Sequence, residues 1–154
     1  MTEGAMMDLS LVCRIDGVLC ALPVEHVVET MRPLPVEPLA GAPAFVRGLS
    51  IIRGAPVPVV DAASLLGSPD TQPTRFVMVK AGARRVALAV SDVIGVRALA
   101  PEKLQALPPL LREAAADIVT SIGALDDELL LVLRSARLVP DAVWTSAEIG
   151  RSAS

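Results

Sequence analysis

Histidine is nearly absent from this chain: His26 is the only one. Any Ser-His-Asp or Cys-His centre would have to use it, yet no Gly-x-Ser-x-Gly elbow or other nucleophile motif accompanies it. Cysteine is equally scarce. Cys13 and Cys20 lie seven apart and His26 six further on, which is short of the four ligands and paired spacings of a structural zinc site. Aromatics are rarer still, with one Trp, two Phe and no Tyr. Stacking platforms for single-stranded nucleic acid need more than that. Nor is there a clustered positive field of the kind nucleic acid requires. The net charge is −3, and the only adjacent basic pair is Arg84-Arg85.

Long apolar runs are missing too, although 53% of residues are hydrophobic. The longest stretch free of Asp, Glu, Lys and Arg is Pro38–Val46, nine residues with two prolines. A spanning helix needs about 20. The opening "MTEGAMMDLS" carries acid where a secretion signal carries base. These features read as a soluble, cytoplasmic chain with no membrane insertion and no nucleic-acid partner. No phosphate-cradling loop or dinucleotide fingerprint occurs, so no cofactor is expected.

What is present is a rhythm of short valine-rich runs broken by turn residues. In "LSLVCRIDGVLCALP" the Asp16-Gly17 pair marks a two-residue hairpin. That loop sets Ile15 opposite Val18, Arg14 opposite Leu19 and Cys13 opposite Cys20. The two cysteines then read as small core residues. Pro23 suits the start of a short helical turn, with a strand over 27–32 after it. "PLPVEPLAGAPAF" is an extended loop. Strands follow near 45–52 and 55–61, then a helical turn at 62–67. Pro56 and Pro58 lie two apart, so one side of their strand lacks donors and is expected to form an edge.

"SPDTQP" (68–73) reads as a linker. Beyond it, "RFVMVKAG" (75–82), "RRVALAVSDV" (84–93) and "IGVRALA" (94–100) are short strands. A loop covers 101–115 with one helical turn. "DIVTSIGALDDELLLVLRSARLV" is strand, acidic turn (Asp126–Glu128) and strand, and 135–149 reads as a C-terminal helix before a loose end. The fold class is all-β. About ten strands fall into two sets of about five, one over roughly 9–67, the linker 68–73, the other over roughly 74–139, and a tail at 140–154. Strands near the ends are free to cross between the sets.

Among candidate sites, Asp61 lacks the Thr/Ser-Gly that would follow an aspartic-protease carboxylate. Asp126, Asp127 and Glu128 read as a solvated turn. Arg53 is the open case. It sits at the joint of "GLSIIRGAPVPVVD", where Asn-Gly or Asp-Gly would be the easier turn. From the residues alone it reads equally as a polar hairpin tip or as a contact residue.

Five segments together resemble the CheW-like chemotaxis coupling proteins of bacteria. "APAFVRGLSIIRGAPVPVVDAASLLG" is similar to their Pro-x-Phe-x-Lys/Arg-Gly, Asn-Leu-Arg-Gly and Val-Pro-Val/Ile-x-Asp-Leu signature. "ALPVEHVVETM" resembles their first strand exit, "RRVALAVSDVIGV" their Val-Asp-x-Val segment, "LAPEKLQALPP" their loop ending in Pro, and "IGALDDELLLVLRSARLV" their closing strand pair. The match runs in order from residue 9 to about 139. It implies two packed five-stranded β-barrel subdomains and a non-enzymatic adaptor. The implied partners are the cytoplasmic tip of a chemoreceptor and the regulatory domain of a CheA-type histidine kinase, with recruitment to membrane-bound receptor arrays. The implied partner-binding residues are Arg53, Glu29, Val27 and Gly48, with Ile51 and Ile52 standing where the family has Asn and Leu. Asp61 and Asp92 match family acids, for which a structural role is as compatible. Position 134 is Arg where the family usually has Asp, and Cys13 and Cys20 replace residues that are often aromatic. Other readings compatible with the sequence are a coupling protein for pili or gliding, and a detached module of a kinase or CheV-like protein.

Overall fold

Asp16 and Gly17 both adopt positive φ, 48° and 83°, the backbone that a two-residue hairpin with right-handed strand twist requires. They join β1 (Asp8–Ile15) to β2 (Val18–Pro23). The register is the one the turn dictates: Cys13 opposite Cys20, Arg14 opposite Leu19, Ile15 opposite Val18. In the computed structural model, residues 8–66, 72–106 and 118–134 are described. The expected C-terminal helix and loose end lie outside them, as does most of the linker.

Pro23, with φ −55°, precedes a 3-10 turn at Val24–His26. β3 (Val27–Met31) follows. A second hairpin, β4 (Val46–Ile52) and β5 (Ala55–Asp61), turns on Arg53-Gly54. α1 (Ala62–Leu65) is a single helical turn. Next come β6 (Arg75–Ala81), β7 (Arg84–Val90) and β8 (Asp92–Leu99), so the break in this run falls at Ser91 rather than between 93 and 94. A 3-10 turn at Pro101–Lys103 leads to β9 (Gln105–Ala106). β10 (Val119–Leu125) and β11 (Glu128–Leu133) turn on Asp126-Asp127, both at positive φ.

The strands form two sheets, ordered β8-β1-β2-β11-β10-β9 and β3-β6-β7-β5-β4. The sheet boundary does not fall at 68–73. The five-stranded sheet takes β3–β5 from before that segment and β6–β7 from after it. β1 and β2 belong instead with the later strands. Two parallel ladders make this arrangement: Val59–Asp61 pairs with Ala87–Ala89, and Leu130–Val132 pairs with Leu19–Ala21. Polar, proline-rich composition marks an exposed connection, and such a connection also occurs within one sheet.

Side chains alternate across each strand, and in β1, β2, β5, β6 and β7 both faces are buried over most of the length. Leu11, Cys13 and Ile15 of β1, and Cys20 and Leu22 of β2, meet Val77, Val79, Val86, Leu88 and Val90 in a core shared by the two sheets. The opposite face of the five-stranded sheet has its own core of Ile52, Val57, Val59, Phe76, Met78, Ala87 and Ala89. That of the six-stranded sheet holds Val12, Leu19, Ala21, Leu99 and Leu130. Burial on both faces explains why these five strands read as nearly continuous apolar runs.

Pro56 and Pro58 close only part of one side. Ile51 lies opposite Pro56 and Leu49 opposite Pro58. Counting from the two-residue turn, both are non-hydrogen-bonded positions toward β4, so the prolines remove donors on the β7 side. The β7 ladder begins only at Val59. β5 is therefore an interior strand with half of one side unpaired, and not the expected edge.

Candidate interaction surface

The five-stranded sheet begins with β3 and ends with β4. Arg53, at the tip of the β4–β5 hairpin, spans the two ends by reaching Glu29 on β3. Its Nε donates to Glu29 Oε2 at 3.0 Å and its Nη2 to Oε1 at 2.8 Å. This is the two-pronged geometry in which guanidinium and carboxylate bind best. The two-residue turn holds Arg53 at φ 54°, a left-handed conformation that costs about 1–2 kcal/mol for an L-residue with a side chain. The Arg53 side chain is 73% exposed and that of Glu29 27%. The hydrogen bond from Arg53 is the main reason the Glu29 carboxyl stays below the usual carboxylate range; desolvation opposes it, and the charges of Arg53 and Arg85 assist.

The other residues singled out in sequence divide by position. Ile51 is 66% exposed on β4. Ile52, its neighbour, is 4% exposed and packs in the inner core of the sheet, so it supports the surface from behind. Val27 is half-buried at the start of β3 and packs against the shared core. Gly48 is buried at a β-bulge with φ 143°. A Cβ there would stand 1.9 Å from the carbonyl oxygen of Glu37. The loop that crosses Gly48 also bonds the β4 edge: the amide of Glu37 donates to Leu49 O, that of Leu49 donates to Glu37 O, and Ser50 Oγ donates to Pro35 O. Glycine at this site is thus required by the close approach of another backbone.

Asp61 is a capping residue. Its Oδ1 accepts from the amides of Ala63 and Ser64, and its Oδ2 accepts from Ser64 Oγ and Arg47 Nη2. Asp92 accepts from the amide of Val93 through Oδ1. Arg14 and Glu128 form a second two-pronged pair between the first hairpin and the acidic turn. Cys13 and Cys20 are both free thiols. Burial pushes each up to about 12, with a smaller contribution from Asp92 at Cys13 and from Cys13 at Cys20. Among the described residues no group of three or more His, Cys, Asp or Glu could hold a metal. No described helix is long and apolar enough to cross a membrane.

Two features were not singled out in the sequence. Lys80 and Arg85 lie opposite each other across the β6–β7 hairpin, which the spacing around Gly82-Ala83 could have revealed. Leu9 and Val96 form an exposed apolar stripe, 55% and 51% exposed. Leu9 pairs with Ala98 and Leu11 with Val96, which puts all four on one face of the β1–β8 ladder. Singly each looked like an ordinary strand residue.

The family model for the CheW-like domain matches residues 10–143. The chain belongs to the CheW-like domain family. Members of this family are non-catalytic adaptors. Among curated relatives, the "Chemotaxis protein CheW" of Klebsiella aerogenes is 26% identical over 107 residues, covering 68% of this chain and 64% of that protein. The "Probable chemotaxis protein CheW" of Rhizobium etli is 28% identical over 102 residues, 64% of this chain and 66% of its own length. The chain thus spans just under two thirds of these relatives. Among solved structures, the scaffolding protein TtCheW from Thermoanaerobacter tengcongensis superposes with a TM-score of 0.75 at 21% identity, covering 84% of this chain and 90% of that one. At that identity the likeness establishes the CheW fold: two strand-built subdomains with few helices, as the sequence implied.

Proposed function

We propose that this CheW-like chain is a chemotaxis adaptor that couples the cytoplasmic tip of a chemoreceptor to the regulatory domain of a CheA-type histidine kinase. The reading is carried by one observation above all: Arg53 keeps a costly backbone conformation and an exposed two-pronged pair with Glu29. A hairpin tip with no further task would use Asn or Asp there. The pair lies beside exposed Ile51, and a charged group next to apolar surface is the make-up of a specific, non-obligate interface.

Two partners need two surfaces. The Arg53–Glu29 rim, with Ile51, is assigned to the kinase domain. The apolar stripe of Leu9, Val96 and Ala98 is assigned to the receptor, whose helical tip would lay an apolar face against it. Signal then passes as a shift in the kinase's conformational equilibrium. The adaptor is drawn to receptor arrays by these contacts alone.

The test is to assemble receptor signalling fragment, kinase and adaptor in vitro. Arg53→Glu should lose kinase recruitment and keep receptor binding, while Val96→Glu should do the reverse. Full kinase recruitment by Arg53→Glu would remove the rim from the coupling surface.

A further inference from the structure

The rim around Arg53 carries more positive charge than its structure uses. Lys80 and Arg85 are exposed and directly opposite in the β6–β7 ladder. Like charges in that position destabilise a strand pair. Each sits two residues beyond an inner-core residue, Met78 and Ala87, and so marks the solvent end of the same face. β5 and β7 run parallel, with Val59 level with Ala87. The Arg53-Gly54 turn and the Gly82-Ala83 turn therefore lie at one end of the sheet. The field of Arg85 is felt at Glu29. Yet Glu29 is committed to Arg53, and among the described residues neither Lys80 nor Arg85 has an ion pair. Glu29 uses two of the five N–H donors of Arg53, leaving the outer edge of the guanidinium available without breaking the pair.

We infer that this rim receives an acidic segment of the partner protein, with Lys80 and Arg85 as its specificity-determining residues and Arg53 as its central anchor. The inference rests on reading the rim as a partner surface. Carboxylates placed between Lys80 and Arg85 would relieve the like-charge opposition and add charge-assisted hydrogen bonds. An ammonium and a guanidinium side by side discriminate against basic partners as strongly as they favour acidic ones.

The experiment has two arms. In the first, decaglutamate is titrated onto the full chain and amide chemical shifts are mapped, with decalysine as the opposite-charge control. Decaglutamate should shift the amides of Arg53, Lys80 and Arg85, with affinity falling about tenfold or more between low and physiological salt. Decalysine should not shift them, and the K80E/R85E variant should lose the effect. K80Q/R85Q, which removes charge without reversing it, should retain a weaker response. Shifts that are absent, or unchanged in K80E/R85E, overturn the inference. In the second arm, the regulatory domain of the kinase replaces decaglutamate. Equal binding to wild type and K80E/R85E overturns the inference and leaves the adaptor function standing. Decaglutamate binding without kinase binding upholds the acidic preference and removes the kinase as the partner.

Discussion

Arg53 and Glu29 meet across the two ends of a five-stranded sheet, 24 residues apart in sequence and 2.8 Å apart in space. The contact joins the tip of one hairpin to a strand that no ladder connects to it directly. Replacing Arg53 by Asn should separate its two roles. Asn accepts the left-handed backbone more readily, so thermal stability should hold or rise. Partner binding should fall by roughly 10- to 100-fold, the usual worth of a charged hydrogen bond. Calorimetry on the variant, followed by titration with the kinase domain, checks both halves.

Acid should weaken the same contact. The Glu29 carboxyl is held below its ordinary value by Arg53, so the folded form binds that proton less readily than the unfolded chain. Its contribution is complete above the unfolded value and is lost as pH falls through the lowered one. Kinase-domain binding measured from neutral pH downward should drop in that acidic window. In E29Q the part of the drop that Glu29 causes should be absent, leaving only the smaller one from the partner's own carboxylates.

Gly48→Ala should be severely destabilising. The new methyl would collide with the Glu37 carbonyl, and the backbone is at φ 143°. A loss of about 3 kcal/mol or more is expected from strain plus displacement of the covering loop. Urea denaturation gives the number. An unchanged midpoint would mean that the loop is not seated on β4.

The thiols of Cys13 and Cys20 should be silent toward a disulfide reagent in the native protein at neutral pH, and both should react once the chain is unfolded. Burial raises each to about 12 from 9.0. This contribution is intact below about pH 9, the unfolded thiol range, and is lost as pH climbs toward the folded value. The C13A/C20A variant should lose less stability than wild type between neutral and alkaline pH.

Asp61→Ala removes a cap that serves the amides of Ala63 and Ser64 and the side chains of Ser64 and Arg47. A cost of about 1–2 kcal/mol is expected for such a cap. Asp61→Asn, which keeps an acceptor, should recover part of it. Thermal unfolding of the two variants makes the comparison.

The hairpins were legible in the sequence because a two-residue turn fixes its own register: Asp16-Gly17 sets Cys13 against Cys20, and Arg53-Gly54 sets Ile51 against Pro56. The parallel ladders were not. Nothing local in "VLCALP" announces that Leu19 will lie beside Leu130, since such pairings are decided by how whole sheets fill a common core. The same limit hid the edge of β5, whose prolines predicted missing donors but not that β7 would join further along. Arg53 and Glu29 could be singled out separately by resemblance to the family. Their contact could not, because it depends on which strands end the sheet.

In sequence, the strands of the five-stranded sheet, the inner one, are nested between those of the six-stranded sheet, and this has a consequence for synthesis of the chain. All five strands of the inner sheet lie between Val27 and Val90, whereas the outer one needs both Leu19 and Leu130. On a ribosome the inner sheet can close first, while β2 waits for more than 100 residues to emerge before β11 arrives. During that interval the far side of β2 is an unpaired, apolar strand edge. A nascent chain halted before residue 128 should therefore call on chaperones more than the full-length chain does.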